Sequence, residues 1–238
     1  MAVIFRLNRL QNRIKLSLST SVVTCALLAG CQSTQSAAPQ WTVSPQAEST
    51  YVNLVEQAKS QQVSDISQWQ KLRDSYSQTG RELKHYKTIY DYTPLVLQAL
   101  NAQDFKGCIK NAERILAVNY THLTAHFGAM NCHRALAHEP ESYHHQLMLN
   151  HLMDAIAHET NGRSYEFAFK AYSFDDIQSL VYLFGLTIRD RQFVTHNDRH
   201  YDKVSVTESD INENFDLYFD VTNILYLVDQ YKGQRSTQ

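Results

Sequence analysis

The stretch TPLVLQALNAQDFKGCIKNAERILAVNYTHLTAHFGAMNCHRALAHEPESYHHQLMLNHLMDAIA, residues 93–157, decides the fold. Its apolar residues recur at three and four, the spacing that places them on one face of a helix. Leu95, Val96, Leu97, Ala99 and Leu100 mark one short helix, and Phe105, Cys108, Ile109, Ala112, Ile115 and Leu116 a second. Leu123, Phe127 and Met130 belong to a third, and Met148, Leu149, Leu152, Met153 and Ile156 to a fourth that follows Pro140. Thr93-Pro94 can open the first of these, with threonine as cap and proline in the first turn, where no N–H is needed. An aromatic connector from Tyr86 to Tyr92 precedes it. Short links between such helices give antiparallel hairpins that bury a shared apolar seam.

Upstream, helical spacing begins near Glu48 with Tyr51, Val52, Leu54, Val55 and Ala58. It resumes after a break at Ser64 to Ser67 with Trp69, Leu72 and Tyr76, and Gly80 is a natural stop. Downstream, the period changes at Asn161-Gly162. Tyr165, Phe167, Phe169 and Ala171 alternate as a half-buried strand does, and Asp175-Asp176 start an apolar helical run that ends at Gly185. Further alternation at Phe193 to Thr195, Tyr201 to Val206 and Phe215 to Val221 predicts an antiparallel meander. The expected fold is a mostly-α α+β protein: stacked antiparallel helical hairpins over residues 47–162, capped by a small antiparallel sheet with one helix over residues 163–238, the two forming one compact unit. Phe105 and Tyr143 occupy comparable places in successive hairpins, a period of roughly 36 to 38 residues that resembles degenerate tetratricopeptide units. A plain helical bundle explains the same pattern.

The first thirty-one residues carry an address. Arg6, Arg9, Arg13 and Lys15 form a positive region, Leu16 to Ala29 an apolar core, and Leu28-Ala29-Gly30-Cys31 closes it. This order resembles a bacterial lipoprotein signal peptide over residues 1–30, since the apolar run is short for a membrane span and small residues precede the cysteine. The resemblance implies cleavage before Cys31 and lipidation of that residue, palmitate included. Gln32, in place of an aspartate, implies the periplasmic face of the outer membrane. Residues 31–46, polar and punctuated by Pro39 and Pro45, read as a tether. Loss of residues 1–30 removes four positive charges and no acidic ones, which leaves 18 basic against 24 acidic residues. Such a surface repels phosphate backbones, so nucleic acid is not an expected partner.

Several short words resemble one bacterial family across about residues 65 to 225. They are Leu72-Arg73 with Tyr76, Ala125-His126-Phe127, Asn161-Gly162-Arg163-Ser164, Tyr201-Asp202 and Tyr218-Phe219-Asp220-Val221. The family is a tetratricopeptide-like domain of unknown function, the one numbered 4919 among such domains. The resemblance implies export and a helical beginning, and it brings no reaction with it.

Eight of the eleven histidines lie between positions 122 and 158. His122, His126 and His133 share a face of the third helix, and His144, His151 and His158 follow a seven-residue spacing on the fourth. A hairpin closing near residues 139 and 140 would set His133 against His144 or His145, His126 against His151 and His122 against His158. Facing imidazoles of that kind can hold zinc, copper or haem; histidines bordering an apolar face also hydrogen-bond within a hairpin without any metal. Cys108 and Cys132 are the thiols left beyond the lipid site. A loop centred near Val118 to Thr121 would bring them together as a disulfide, the alternative being two separately buried thiols. Glu166, Asp175, Asp176, Asp202 and Asp220 could supply a carboxylate pair for hydrolysis, although Asp175 and Asp176 also suit a helix start. No nucleophile elbow or phosphate loop occurs. The expected function is therefore a lipid-anchored periplasmic binding or scaffold protein with an envelope protein partner and no cofactor. A metal- or haem-binding protein and a hydrolase are the alternatives.

Overall fold

The computed structural model describes residues 43–235. Among the described residues seven helices come first in chain order: α1 (Pro45–Lys59), α2 (Ile66–Gln78), α3 (Arg81–Lys84), α4 (Tyr86–Asn101), α5 (Phe105–Leu116), α6 (Leu123–Ala135) and α7 (Glu139–Ala157). Then follow β1 (Phe169–Lys170), α8 (Phe174–Leu183), β2 (Leu186–His196), β3 (Arg199–Glu208), β4 (Glu213–Asp220) and α9 (Thr222–Arg235). The lipoprotein signal, Cys31 and most of the tether lie outside the described residues.

Helices α4 to α7 pack in sequence as antiparallel neighbours, as their cross-contacts show. Arg114 and Asn111 of α5 reach Tyr92 and the Leu95 carbonyl of α4 at the same position sum. The His126–His145 and Met130–Ser142 contacts do the same, within one residue, for α6 and α7. Helix α5 shows why the pattern folds this way: Asp104 caps it by accepting from the Gly107 N–H at 3.0 Å, and Cys108, Ala112 and Ile115 bury one face. Gly128 on α6 meets Val96 of α4 so closely that an added Cβ would lie 2.1 Å from a Val96 methyl.

One cluster of buried side chains joins the two halves of the chain. It runs from Tyr51, Leu54, Trp69, Leu72 and Tyr76 through Met148, Leu149, Leu152 and Ile156 to Phe169, Ile177, Leu180, Val204, Val206, Leu217 and Phe219. A second, smaller cluster of Ile89, Val96, Cys108, Ala112, Ile115, Ala125, Ala129 and Cys132 fills the α4–α6 seam. At the junction Gly162, with φ +71, donates to the Phe167 carbonyl at 2.8 Å and accepts from the Tyr218 N–H at 2.7 Å. Phe169 lies against it where a side chain would stand, so the left-handed turn and the close approach both require glycine here.

Three expectations are corrected. Thr93-Pro94 does not start a helix: α4 runs unbroken from Tyr86, with Pro94 inside it. The Thr93 hydroxyl donates to the Ile89 carbonyl at 2.8 Å, and Tyr90, whose carbonyl the proline cannot serve, is 67% exposed to water. The sheet is mixed rather than wholly antiparallel, in the order β1-β4-β3-β2, because two-residue β1 lies parallel to β4 while β2, β3 and β4 form the meander. The cap has two helices rather than one: α9 follows β4 directly and buries Ile224 and Leu227.

Candidate functional site

The α6–α7 hairpin carries a row of imidazoles. Its turn is tight: helix α6 ends at Ala135, Ala137 takes φ +57, the Ala137 N–H donates to the Arg134 carbonyl at 3.0 Å, and the His138 N–H donates to the His133 carbonyl at 2.9 Å. This is the bond pattern of a Schellman cap, and it folds His138 back over His133. Their Nδ1 atoms stand 3.3 Å apart. Behind them His133 stacks on His145, with ring centroids at 5.6 Å and an interplanar angle of 15°. His145 Nδ1 lies 3.0 Å from His126 Nδ1, and His126 Nε2 lies 2.8 Å from the Tyr120 carbonyl. A carbonyl only accepts, so His126 carries its proton on Nε2 and its Nδ1 accepts from His145. Burial pushes His126 well below the ordinary imidazole range, with the His145 charge adding to it, and burial takes His145 down to about 3. His126 and His145 are therefore neutral at neutral pH.

A second polar assembly seals the junction of helices and sheet. The Arg73 guanidinium pairs with Asp176 at 3.1 Å, both side chains at most 10% exposed, and also donates to the Lys170 carbonyl at 3.3 Å. It lies over the Tyr172 ring, whose hydroxyl donates to Asp74. Asp176 accepts in addition from the Tyr172 N–H at 2.9 Å. Alongside, buried His122 caps α6 by accepting from the Ala125 N–H and faces Asp175 at 2.7 Å. Burial opposes charge on His122, but Asp175 outweighs it and raises the imidazole, while His122 holds Asp175 low against its own burial. Glu82, which accepts from the Tyr76 hydroxyl at 2.6 Å, is pushed up to about 7 by burial. Beside this assembly opens a cleft of about 280 Å³ lined by Arg73, Asp74, His158, Thr160, Lys170 and Tyr172. Its charged groups of both signs include Arg73 and Asp74, which are already engaged by Asp176 and Tyr172.

The sequence pattern that defines a domain of unknown function, DUF4919, matches residues 90–230. The chain belongs to this family. No curated protein and no solved structure matches it. The DUF4919 segment takes in the whole histidine row, the disulfide and the sheet. Two of the buried charge partners, Arg73 and Glu82, lie just before it.

Within this DUF4919 protein the six histidines expected together are divided among separate places. His126 and His133 join the row, and His144 adjoins it through a 2.8 Å contact from Nε2 to the Tyr120 hydroxyl. His122 faces Asp175 instead of His158; His151 stacks on Trp69 at 4.8 Å instead of meeting His126; His158 borders the cleft. The physical reason is register. The hairpin turns at Leu136–Ala137 rather than near residues 139 and 140, so His126 meets His145 rather than His151, while His133 stacks on His145 as its spacing predicts. No three metal-ligating side chains converge among the described residues. Cys108 and Cys132 are joined by a disulfide between α5 and α6, with Cα atoms 6.4 Å apart. The carboxylates are dispersed: Glu166 is exposed, Asp202 is buried against Arg191, and Asp220 pairs with Arg199 and holds the Thr222 N–H at 3.1 Å. Sequence reading missed His138, whose role follows from the cap after α6. It also missed the Arg73–Asp176 pair, whose members are 103 residues apart.

Proposed function

We propose that this protein is a lipid-anchored binding or scaffold protein of the bacterial envelope, held by Cys31 to the periplasmic face of the outer membrane, which engages another envelope protein through helix α4. The observation that carries the reading is the outer face of α4. Tyr86 and Tyr90, one turn apart, are 56% and 67% exposed and stack on each other at 5.6 Å. Exposed Pro94 continues the same stripe. Large exposed aromatics grouped on a rigid helix are what protein interfaces draw on, tyrosine above all, because it buries much area at little entropic cost. Helix α4 is held from behind by Ile89 and Val96 in the second core cluster, so the stripe is presented on fixed backbone. The Cys108–Cys132 disulfide suits an oxidising compartment, and the signal-like residues 1–31 suit export. Among the described residues no helix is long and apolar enough to cross a membrane, and a lipid on Cys31 would supply the attachment.

The test is chemical crosslinking and capture from native membranes with the protein expressed from its own signal. Replacing Tyr86 and Tyr90 together by serine should abolish capture of the partner while leaving the circular dichroism spectrum and the membrane fraction unchanged. Cys31→Ala should move the protein out of the membrane fraction or leave it unprocessed. Capture of the same partner by the double tyrosine variant would refute the α4 interface, and unchanged fractionation of Cys31→Ala would refute the anchor.

A further inference from the structure

We propose that His133 and His138 form a surface site for a late first-row divalent metal ion, of the zinc, copper(II) or nickel class, bound through the two Nδ1 nitrogens. The 3.3 Å between those nitrogens is long for an N–H···N hydrogen bond. Two imidazole nitrogens at ordinary zinc distances on a tetrahedral ion stand about 3.3 Å apart, so the separation fits a shared ion. A Schellman cap ordinarily places an apolar contact between the residues at these two positions. Here the same backbone geometry juxtaposes two imidazoles, the ligand that suits this class of metal.

The pair is supported from behind. His133 rests on His145, His145 on His126, and His126 is fixed to the Tyr120 carbonyl, so a chain of contacts reaching a fully buried side chain sets the orientation of the first ring. Cys132, next in sequence to His133, is tied to α5 by the disulfide. Outer contacts that orient a ligating imidazole are what distinguish a built site from two histidines near each other. His138 is exposed and His133 half-buried, which gives an ion access from solvent. The site is open, and water would complete the ion's shell. The other histidine pair, His126–His145, is the weaker candidate. His126 Nδ1 already accepts from His145, and its complete burial would strip an incoming ion of its water.

The experiment is calorimetric titration of zinc and of copper(II) into protein purified without a histidine tag and freed of metal by a chelator. Wild type should bind one equivalent. His138→Ala, at an exposed position outside both core clusters, should weaken binding by more than about 100-fold, beyond the loss typical for an outer-shell partner, and His133→Ala should do the same. His151→Ala, on the Trp69 side of α7, should bind as wild type does. Copper(II) electron paramagnetic resonance should show two imidazole nitrogens that become one in His138→Ala. Absence of stoichiometric binding, binding that survives His138→Ala, or binding lost only with His145→Ala would each overturn the assignment.

Discussion

Acid should weaken this protein through its histidine row, and His145 is the residue at which the effect can be isolated. In the unfolded chain an imidazole takes up a proton near pH 6.5, whereas folded His145 is held down to about 3. A group whose folded value is depressed favours the native state above the unfolded value and loses that contribution as pH falls toward the folded one. At pH 5 the unfolded chain has bound the proton and the native state has not. The linkage integral from pH 8 to pH 5 then comes to about 2 kcal/mol for one such group, and it hardly depends on the folded value while that value stays well below 5. Two groups act in the opposite sense. Glu82, raised to about 7, and His122, raised by Asp175, both gain native protonation as pH falls. The net acid response of wild type therefore mixes signs, and the comparison must be made against His145→Gln, which leaves Glu82 and His122 in place. Urea unfolding followed by far-ultraviolet circular dichroism at pH 8 and pH 5 gives both stabilities. Wild type should lose about 2 kcal/mol more than His145→Gln over this interval. Equal losses in the two proteins would show that His145 titrates freely and that the row is not packed as described.

Other perturbations test the remaining structure. Intact-mass measurement after alkylation without reductant should find no free thiol at Cys108 or Cys132, and replacing both by serine should cost about 3 kcal/mol in urea unfolding; two alkylated cysteines in native-source protein would rule the bridge out. Arg73→Met leaves Asp176 buried without its cation and should cost about 3–5 kcal/mol, with a substantial part recovered in Arg73→Met/Asp176→Leu; a double variant no more stable than the single would contradict the ion-pair account. Truncation after Gly162 removes Phe169, Ile177, Leu180, Val204 and Phe219 from the shared core and should leave the remainder aggregated or without a cooperative transition. A soluble, cooperatively folding fragment would mean two independent domains.

Local periodicity carried much of this fold in advance. The seams of α5, α6 and α7 follow directly from Cys108, Ala112 and Ile115, from Leu123 and Met130, and from Leu149, Leu152 and Ile156. Elements formed by pairing rather than by pattern were harder to see. Strand β2 spans Leu186–His196, yet as the sheet edge it is exposed along most of its length, so alternation marks only its end; its extent comes from the register with β3. Helix α9 was hidden by the strand pattern that runs into it through Val221. At the candidate site, composition pointed to the right hairpin, but the pairing of individual histidines depended on where the chain turns. Ala137 adopts a left-handed conformation that a glycine would have announced and an alanine does not. Asp175 and Asp176 read naturally as helix-start residues. The hydroxyl of Ser173 makes that cap, accepting from the Asp176 N–H at 3.0 Å, and the two carboxylates turn instead to His122 and Arg73, partners far away in the chain.

The central claim is that the exposed tyrosine face of α4 meets another envelope protein while the chain is anchored at Cys31. Site-specific photocrosslinking in intact cells tests it most directly, with the crosslinker placed at Tyr90 in one strain and at Ile211, 58% exposed at the far end of the β3–β4 turn, in another. The account predicts one discrete envelope-protein adduct from position 90, lost in the Cys31→Ala background, and none from position 211. No adduct at position 90, or the same adduct from both positions, would contradict it.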